Sequence, residues 1–194
     1  RGSFMQNIDW TRGKTAIFIG SSVCQGCGAT NERGWSAMAA ERMARNGWTT
    51  SNCAIGGQNT ADILLRLERD VIAHAPAVCF VGLGLSNEGL AAAENPAVPC
   101  GIFLNNLGKI VEGGVYPNND YTPEKSEWLH RVRDEMDTWD VPVLQWLDGL
   151  EVGKTGHYPA GWENDPWHPN DIGYAHFYEQ IPQRVWDKLE CPKP

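Results

Sequence analysis

The sequence predicts an α/β fold in which a parallel sheet is covered by helices on both faces. Three observations carry that expectation. Apolar runs of strand length alternate, about five times, with segments whose apolar residues recur at helical spacing. The run Ala77-Val78-Cys79-Phe80-Val81 is apolar throughout, as in a strand buried on both faces. The 194 residues contain no internal repeat, low-complexity tract or interdomain linker, which bounds the chain at one domain. Residues 1–5, Arg1-Gly2-Ser3-Phe4 ahead of Met5, read as a tag remnant, and 6–194 as the single domain.

Each element follows from its local pattern. Thr15 to Ile19 reads as the first strand, ending in the tight turn Gly20-Ser21-Ser22. Gly34 to Arg45 reads as a helix, with Trp35, Met38, Ala39 and Met43 on one face. Thr50 to Ile55 is a short strand closed by Gly56-Gly57. Thr60 reads as the N-cap of a helix whose apolar face is Ile63, Leu64, Leu67 and Val71, ending before Pro76. Ala77 to Val81 is the third strand.

The second half repeats the scheme. A helix is expected around Phe103 to Val111, a strand near Gly114 to Tyr116, and a turn at Pro117-Asn118-Asn119-Asp120. Glu124 to Thr138 reads as a charged amphipathic helix and Val141 to Leu147 as the fifth strand. A loop of about twenty residues, with Gly153, Gly156, Pro159 and Gly161, then delivers the chain to Asp165. Loops that long inside a compact domain are commonly functional. The last helix runs from about Asp171 to Leu189, interrupted at Pro182.

Composition narrows the function classes. Asp and Glu number 24 against 16 Lys and Arg, a net charge of −8, which argues against nucleic acid or an anionic membrane as partner. No apolar stretch approaches the roughly 20 residues that a membrane-crossing helix needs. No signal peptide is recognisable, and compartment and oligomeric state stay open. The six cysteines do not form a small-domain disulfide framework, and the lone Cys24-x-x-Cys27 pair lacks the second ligand pair of a zinc site or the context of a redox motif. Of nine tryptophans, Trp162 and Trp167 flank Asp165 and His168 in a stretch rich in Gly, Pro and Asn, where aromatic pocket walls are expected.

The chemistry concentrates at two places. A serine at the end of the first strand stands at the carboxyl edge of the sheet, where open α/β proteins bind ligands. Asp165-Pro166-Trp167-His168 supplies an acid and a base three residues apart. A serine hydroxyl is a weak nucleophile until a base takes its proton, and imidazole suits that exchange near neutrality. Serine, histidine and aspartate together are the groups that nucleophilic acyl transfer requires.

Four blocks in order extend this pair: Gly20-Ser21-Ser22 with Gly26; Asn52-Cys53-Ala54-Ile55-Gly56-Gly57; Leu83-Gly84-Leu85-Ser86-Asn87-Glu88; and Asp165-Pro166-Trp167-His168-Pro169. In this the chain resembles the SGNH hydrolase superfamily of GDSL-type esterases. The resemblance implies a flavodoxin-like three-layer sandwich around a central, mostly parallel five-stranded sheet. It implies Ser22 as nucleophile, His168 as general base and Asp165 as its partner. The oxyanion hole would be the N–H of Ser22, the N–H of Gly57 and the side-chain amide of Asn87. No metal or organic cofactor is implied. The implied substrate is a small-molecule or carbohydrate ester, short-chain or acetyl. A lysophospholipase, a thioesterase, an acyltransferase and a catalytically silent glycan-binding module stay as alternatives.

The chain departs from the common pattern at three points. Ser21 replaces the usual aspartate and is a rival nucleophile, Leu85-Ser86 lengthens the third block, and Gln58 stands where an acid is common. Trp167, Tyr116 and His157 are candidate substrate contacts. His74, His130 and His176 read as structural, Asp171 as a helix cap, and Glu88 as either a substrate or a structural ligand.

Overall fold

A computed structural model describes residues 8–110, 114–139 and 143–190. Its sheet has three parallel strands, β1 (Thr15–Gly20), β2 (Thr49–Asn52) and β3 (Val78–Gly82), in the order β2-β1-β3. The helices are α1 (Ser22–Gln25), α2 (Trp35–Arg45), α3 (Thr60–Asp70), α4 (Ala97–Ile110), α5 (Pro123–Asp137), α6 (Leu147–Leu150), α7 (Asp171–Glu179) and α8 (Gln183–Glu190). β1 is central, with Thr15 beside Thr49 on one side and Gly20 beside Gly82 on the other. It is buried from Ala16 onward, whereas the polar β2 is mostly exposed, as suits an edge.

The pleat divides the core. Ala16 and Phe18 of β1 join Val78 and Phe80 in a cluster with residues of α2, α7 and α8, while Ile17 and Ile19 join Val81 in a second with residues of α3, α4 and α5. Phe18 stacks on Phe80 at 4.9 Å between ring centroids and meets Trp35 edge-on at 5.7 Å. Trp35 in turn packs against Trp146, and Trp146 against Phe177 of α7. Burying each such side chain contributes roughly 1.5–3 kcal/mol. Trp35, Trp48, Trp146 and Trp186 are all core residues.

Several expectations need correction. The sheet has three strands among the described residues, not five. Residues 114–116 and 143–146 lie against each other, since a Cβ on Gly114 would meet the Leu144 carbonyl oxygen at 1.9 Å, but neither joins a ladder. The Trp146 N–H instead bonds locally to the Leu144 carbonyl (3.0 Å), and Leu147 begins α6. Residues 111–113 and 140–142, which the two expected strands and the helix ending at Val111 touch, lie outside the described residues, as do 1–7 and 191–194.

Two helix starts also shift. α4 begins at Ala97, earlier than its pattern suggests, because Pro99 falls in the first turn, where a missing N–H removes no helical bond. The N-cap of α3 is Asn59 rather than Thr60: its side chain accepts the Asp62 N–H and the Asp62 carboxylate accepts the Asn59 N–H, both at 3.0 Å. Thr60 is buried, with its N–H donated to Glu88 and its hydroxyl accepting from Asn106. The break near Pro182 falls between α7 and α8 as expected. No described helix is long and apolar enough to cross a membrane.

Candidate functional site

The ends of all three strands open onto one edge, and the turns that leave them border a common cavity of about 610 Å³. β1 ends where there is no room for a side chain. A Cβ on Gly20 would meet the Gly82 carbonyl oxygen at 2.1 Å and Cys24 Cβ at 2.8 Å. The Ser21 N–H donates to that same carbonyl (3.1 Å), holding Ser21 extended before the chain turns into α1. Ser21 is 1% exposed, with Oγ 3.4 Å from the Tyr116 hydroxyl. Ser22 is half-buried, lines the cavity and opens the helix, so its N–H has no acceptor inside α1. The helix is held from below: the Cys24 carbonyl accepts from Ser36 Oγ and from Asn52 Nδ2 (3.2 Å).

His168 Nδ1 lies 2.9 and 2.8 Å from the two carboxylate oxygens of Asp165. A carboxylate accepts only, so Nδ1 carries the proton and Nε2 is left as the basic nitrogen. Asp165 Oδ1 also accepts the backbone N–H groups of Trp167 (2.8 Å) and His168 (2.9 Å), which folds the four-residue block around its own acid. Burial raises the Asp165 carboxyl, but the His168 bond and these N–H groups outweigh it and hold the group below the ordinary aspartate value. Among the described residues the hydrogen bonds of the His168 ring run to Asp165, with none to Ser22. Ser22 and His168 share the cavity lining.

Two contacts set the distance between the blocks. Gly28 has φ +93° and lies so close to the last block that a Cβ would meet the Pro169 carbonyl oxygen at 2.4 Å and His168 Cβ at 3.0 Å. Asp171 accepts both the N–H (2.7 Å) and the hydroxyl (2.8 Å) of Thr30. The cap of α7 is Asn170, whose side chain accepts from Ile172 and Gly173, so Asp171 is a clasp between loops rather than the cap.

The Ile55-Gly56-Gly57-Gln58 turn is closed by the Gln58 N–H to the Ile55 carbonyl (3.4 Å), with Gly57 at φ +80°. The Gly56 N–H is taken by Gln25 Oε1 (2.9 Å), while the turn itself makes no use of the Gly57 N–H. Asn87 Nδ2 donates to the Gln58 carbonyl (2.9 Å), which joins the third block to this turn and leaves the amide a second N–H. Gly57 and Asn87 both line the cavity.

Of the candidate substrate contacts, Tyr116 and Trp167 line the cavity and His157 does not. The His157 ring is engaged by the Tyr121 carbonyl at 2.7 Å. Burial pushes the Tyr116 phenol upward, so it stays a neutral hydroxyl. Glu88 is structural, its carboxylate accepting the first N–H of α3 (2.6 Å). His74 ends a 3-10 turn and is exposed; His130 pairs with Glu151 (2.7 Å), and His176 stacks on Trp162 at 3.7 Å.

One residue escaped the sequence reading. Arg66 is 6% exposed and donates to Gln58 Oε1 (2.6 Å), the Cys53 carbonyl (2.7 Å), Asp70 (2.7 Å) and the Gly20 carbonyl (3.4 Å). Its position three residues after Ile63 on the inward stripe of α3 was the available signal. Asn118 and Asp120 line the cavity from a turn in which Asn118 Oδ1 accepts the Asp120 N–H (2.8 Å) and Asn118 Nδ2 donates to Ser86 (2.8 Å).

Cys24, Cys27, Cys53 and Cys100 are free thiols, and burial raises Cys24 and Cys27 above the ordinary thiol value. Among the described residues no group of three or more His, Cys, Asp or Glu side chains is arranged to hold a metal ion.

The sequence pattern of the GDSL-like Lipase/Acylhydrolase family matches residues 18–176. No curated protein matches the chain. Among solved structures, a GDSL-like lipase from Bacteroides thetaiotaomicron has a TM-score of 0.67 at 19% identity, over 91% of this chain and 90% of its own. Axe2, an acetylxylan esterase from Geobacillus stearothermophilus, has 0.67 at 20% identity, over 89% and 94%. TesA has 0.66 at 22% identity, over 91% and 98%. At such identities the likeness speaks for the fold alone.

Proposed function

Because the chain belongs to the GDSL-like lipase/acylhydrolase family, we propose that it is a serine esterase that cleaves short-chain, chiefly acetyl, carboxylic esters of carbohydrate through an acyl-enzyme. The observation that carries this reading is the His168–Asp165 pair, Nδ1 to carboxylate at 2.8 Å, beside a cavity that Ser22, Gly57 and Asn87 also line. In the proposed reaction Ser22 Oγ attacks the ester carbonyl as His168 Nε2 takes its proton. Asp165 stays ionised and supports the imidazolium. The N–H groups of Ser22 and Gly57 and the second amide N–H of Asn87 receive the oxyanion. His168 returns the proton to the departing alkoxide, and the alcohol leaves. Water, deprotonated by His168, then attacks the acyl-enzyme and releases the acid and free Ser22.

Ser22 is preferred to Ser21 as nucleophile because, although both line the cavity, Ser21 is 1% exposed with its hydroxyl beside that of Tyr116, whereas Ser22 is only half-buried. The acetyl preference draws on the polar side chains Ser86, Asn118 and Asp120 in the cavity lining and on the activity named for the Geobacillus neighbour. The reading treats residues 6–194 as one hydrolase domain. Its test is hydrolysis of p-nitrophenyl acetate by the purified protein, with Ser22→Ala, Ser21→Ala and a serine-directed phosphonate. Activity and labelling lost in Ser22→Ala but retained in Ser21→Ala are expected. The reverse would move the nucleophile to Ser21, and the absence of both turnover and labelling in the parent protein would remove the esterase reading.

A further inference from the structure

The cavity is much larger than an acetyl group, and one part of its lining is built for something other than an acyl chain. Trp167 is 50% exposed, an unusual state for a large aromatic residue, yet it is held at both ends. Its backbone N–H donates to Asp165 (2.8 Å), and its indole Nε1 donates to Asp120 Oδ2 (2.5 Å). The ring meets His168 edge-on, 83° between planes and 6.3 Å between centroids.

Asp120 is fixed as well. Its N–H is capped by Asn118, Asn118 is tied to Ser86, and the next link, the Asn119 N–H, reaches the Pro166 carbonyl (2.8 Å) directly before Trp167. An exposed aromatic face and a carboxylate are thus locked together on the cavity rim, next to the general base.

We infer that the Trp167–Asp120 rim is a saccharide subsite that receives the sugar ring of the ester's alcohol part. The subsite rests on the esterase reading above only in that its sugar carries the ester; its position stands on the rim geometry. The apolar C–H face of a pyranose covers the open indole face and removes apolar area from water. An indole N–H points outward in the ring plane, so the Asp120 carboxylate lies at the edge of the platform rather than over it. Its second oxygen, Oδ1, is there to accept hydroxyl groups that project beyond the edge of a stacked sugar. A carboxylate at this place disfavours phosphate headgroups by repulsion and fatty chains by its need for hydration. A quaternary ammonium over the ring face would sit away from the in-plane carboxylate, which makes it the weaker fit.

Binding of unacetylated xylotriose and methyl β-glucoside to the wild-type protein, followed by saturation-transfer NMR, tests the subsite without turnover. Saturable transfer to the ring protons is expected, with affinity reduced about tenfold or more in Asp120→Ala and Trp167→Ala. Trp167→Phe, which keeps a stacking face, should lose less than Trp167→Ala. In kinetics, the ratio of kcat/KM for acetylated xylotriose to that for p-nitrophenyl acetate should fall about tenfold in Asp120→Ala, chiefly through KM. Circular dichroism of each variant separates loss of the subsite from loss of the fold. Hydrolysis of p-nitrophenyl acetate with no saturable saccharide signal, or a preference for acetylcholine or p-nitrophenyl decanoate, would overturn the subsite and leave the esterase. Saccharide binding that the two alanine variants abolish, in a protein that cleaves no ester, would support the subsite and remove the esterase.

Discussion

Arg66 Nε donates to Gln58 Oε1 at 2.6 Å, across eight residues of sequence, from inside the domain to the turn that carries Gly57. The same guanidinium holds the carbonyls of Gly20 and Cys53. One buried cation therefore ties together the chain segments that leave β1 and β2, and through the Gln58 carbonyl it reaches Asn87 as well.

Arg66→Met should remove a donor from Gln58, the Cys53 and Gly20 carbonyls and Asp70, of which Asp70 keeps Arg69 and Gly20 keeps the Ile55 N–H. Removing one partner from a buried charge network typically costs about 3–5 kcal/mol, read as a lower midpoint in urea unfolding. Gln58→Ala should cost only about 1–2 kcal/mol but lower kcat on p-nitrophenyl acetate, because the Gly57 turn loses its side-chain anchor. An unchanged kcat in Gln58→Ala would show that the turn is held without it.

Asn87→Ala removes a proposed oxyanion donor. A fall in kcat on the order of 100-fold is expected, with KM little changed, since the donor acts on charge that develops only in the transition state. A change in KM alone would assign Asn87 to ground-state binding instead.

Asp70 carries the clearest pH signature. Bonds from Arg69 and Arg66 hold its carboxyl well below the ordinary value of 3.8. A depressed native-state value means the unfolded chain binds the proton more readily. This contribution is therefore fully present above about pH 4 and disappears as pH falls below it toward the native value. Chemical unfolding from pH 6 to pH 2 should show a decline in the wild type that is shallower in Asp70→Asn, which starts less stable. Parallel curves would rule Asp70 out as the source.

Gly28→Ala places a methyl group 2.4 Å from the Pro169 carbonyl oxygen and imposes φ +93° on a residue with a Cβ. A loss of about 1–3 kcal/mol is expected, together with reduced kcat as the His168 segment is displaced. Thermal melts and steady-state kinetics on the same preparation would separate the two effects.

The alternation of strands and helices was legible because periodicity is a local property: the inward residues of β1, α2 and β3 stand at the spacings their backbones impose. The helix starts were misread, by one residue at α3 and by about six at α4, where a competing cap or a proline occupied the first positions. The fourth and fifth strands were misread because apolar content at residues 114–116 and 143–146 reflects burial, and a buried extended segment does not have to join a ladder.

The sequence by itself determined the class of the sheet, the order of the four blocks and the hydrogen-bonded pair Asp165 and His168, whose partners lie three residues apart. Tertiary structure decided what depends on groups distant along the chain. It decided that Ser21 is buried against Tyr116 while Ser22 is half-buried at the same cavity, that Asn87 gives one N–H to Gln58, and that Trp167 is held by Asp120 forty-seven residues away. The reason is physical. Hydrophobic spacing is written in each short window of sequence, whereas a hydrogen bond between remote side chains exists only once the packed core has fixed where both of them stand.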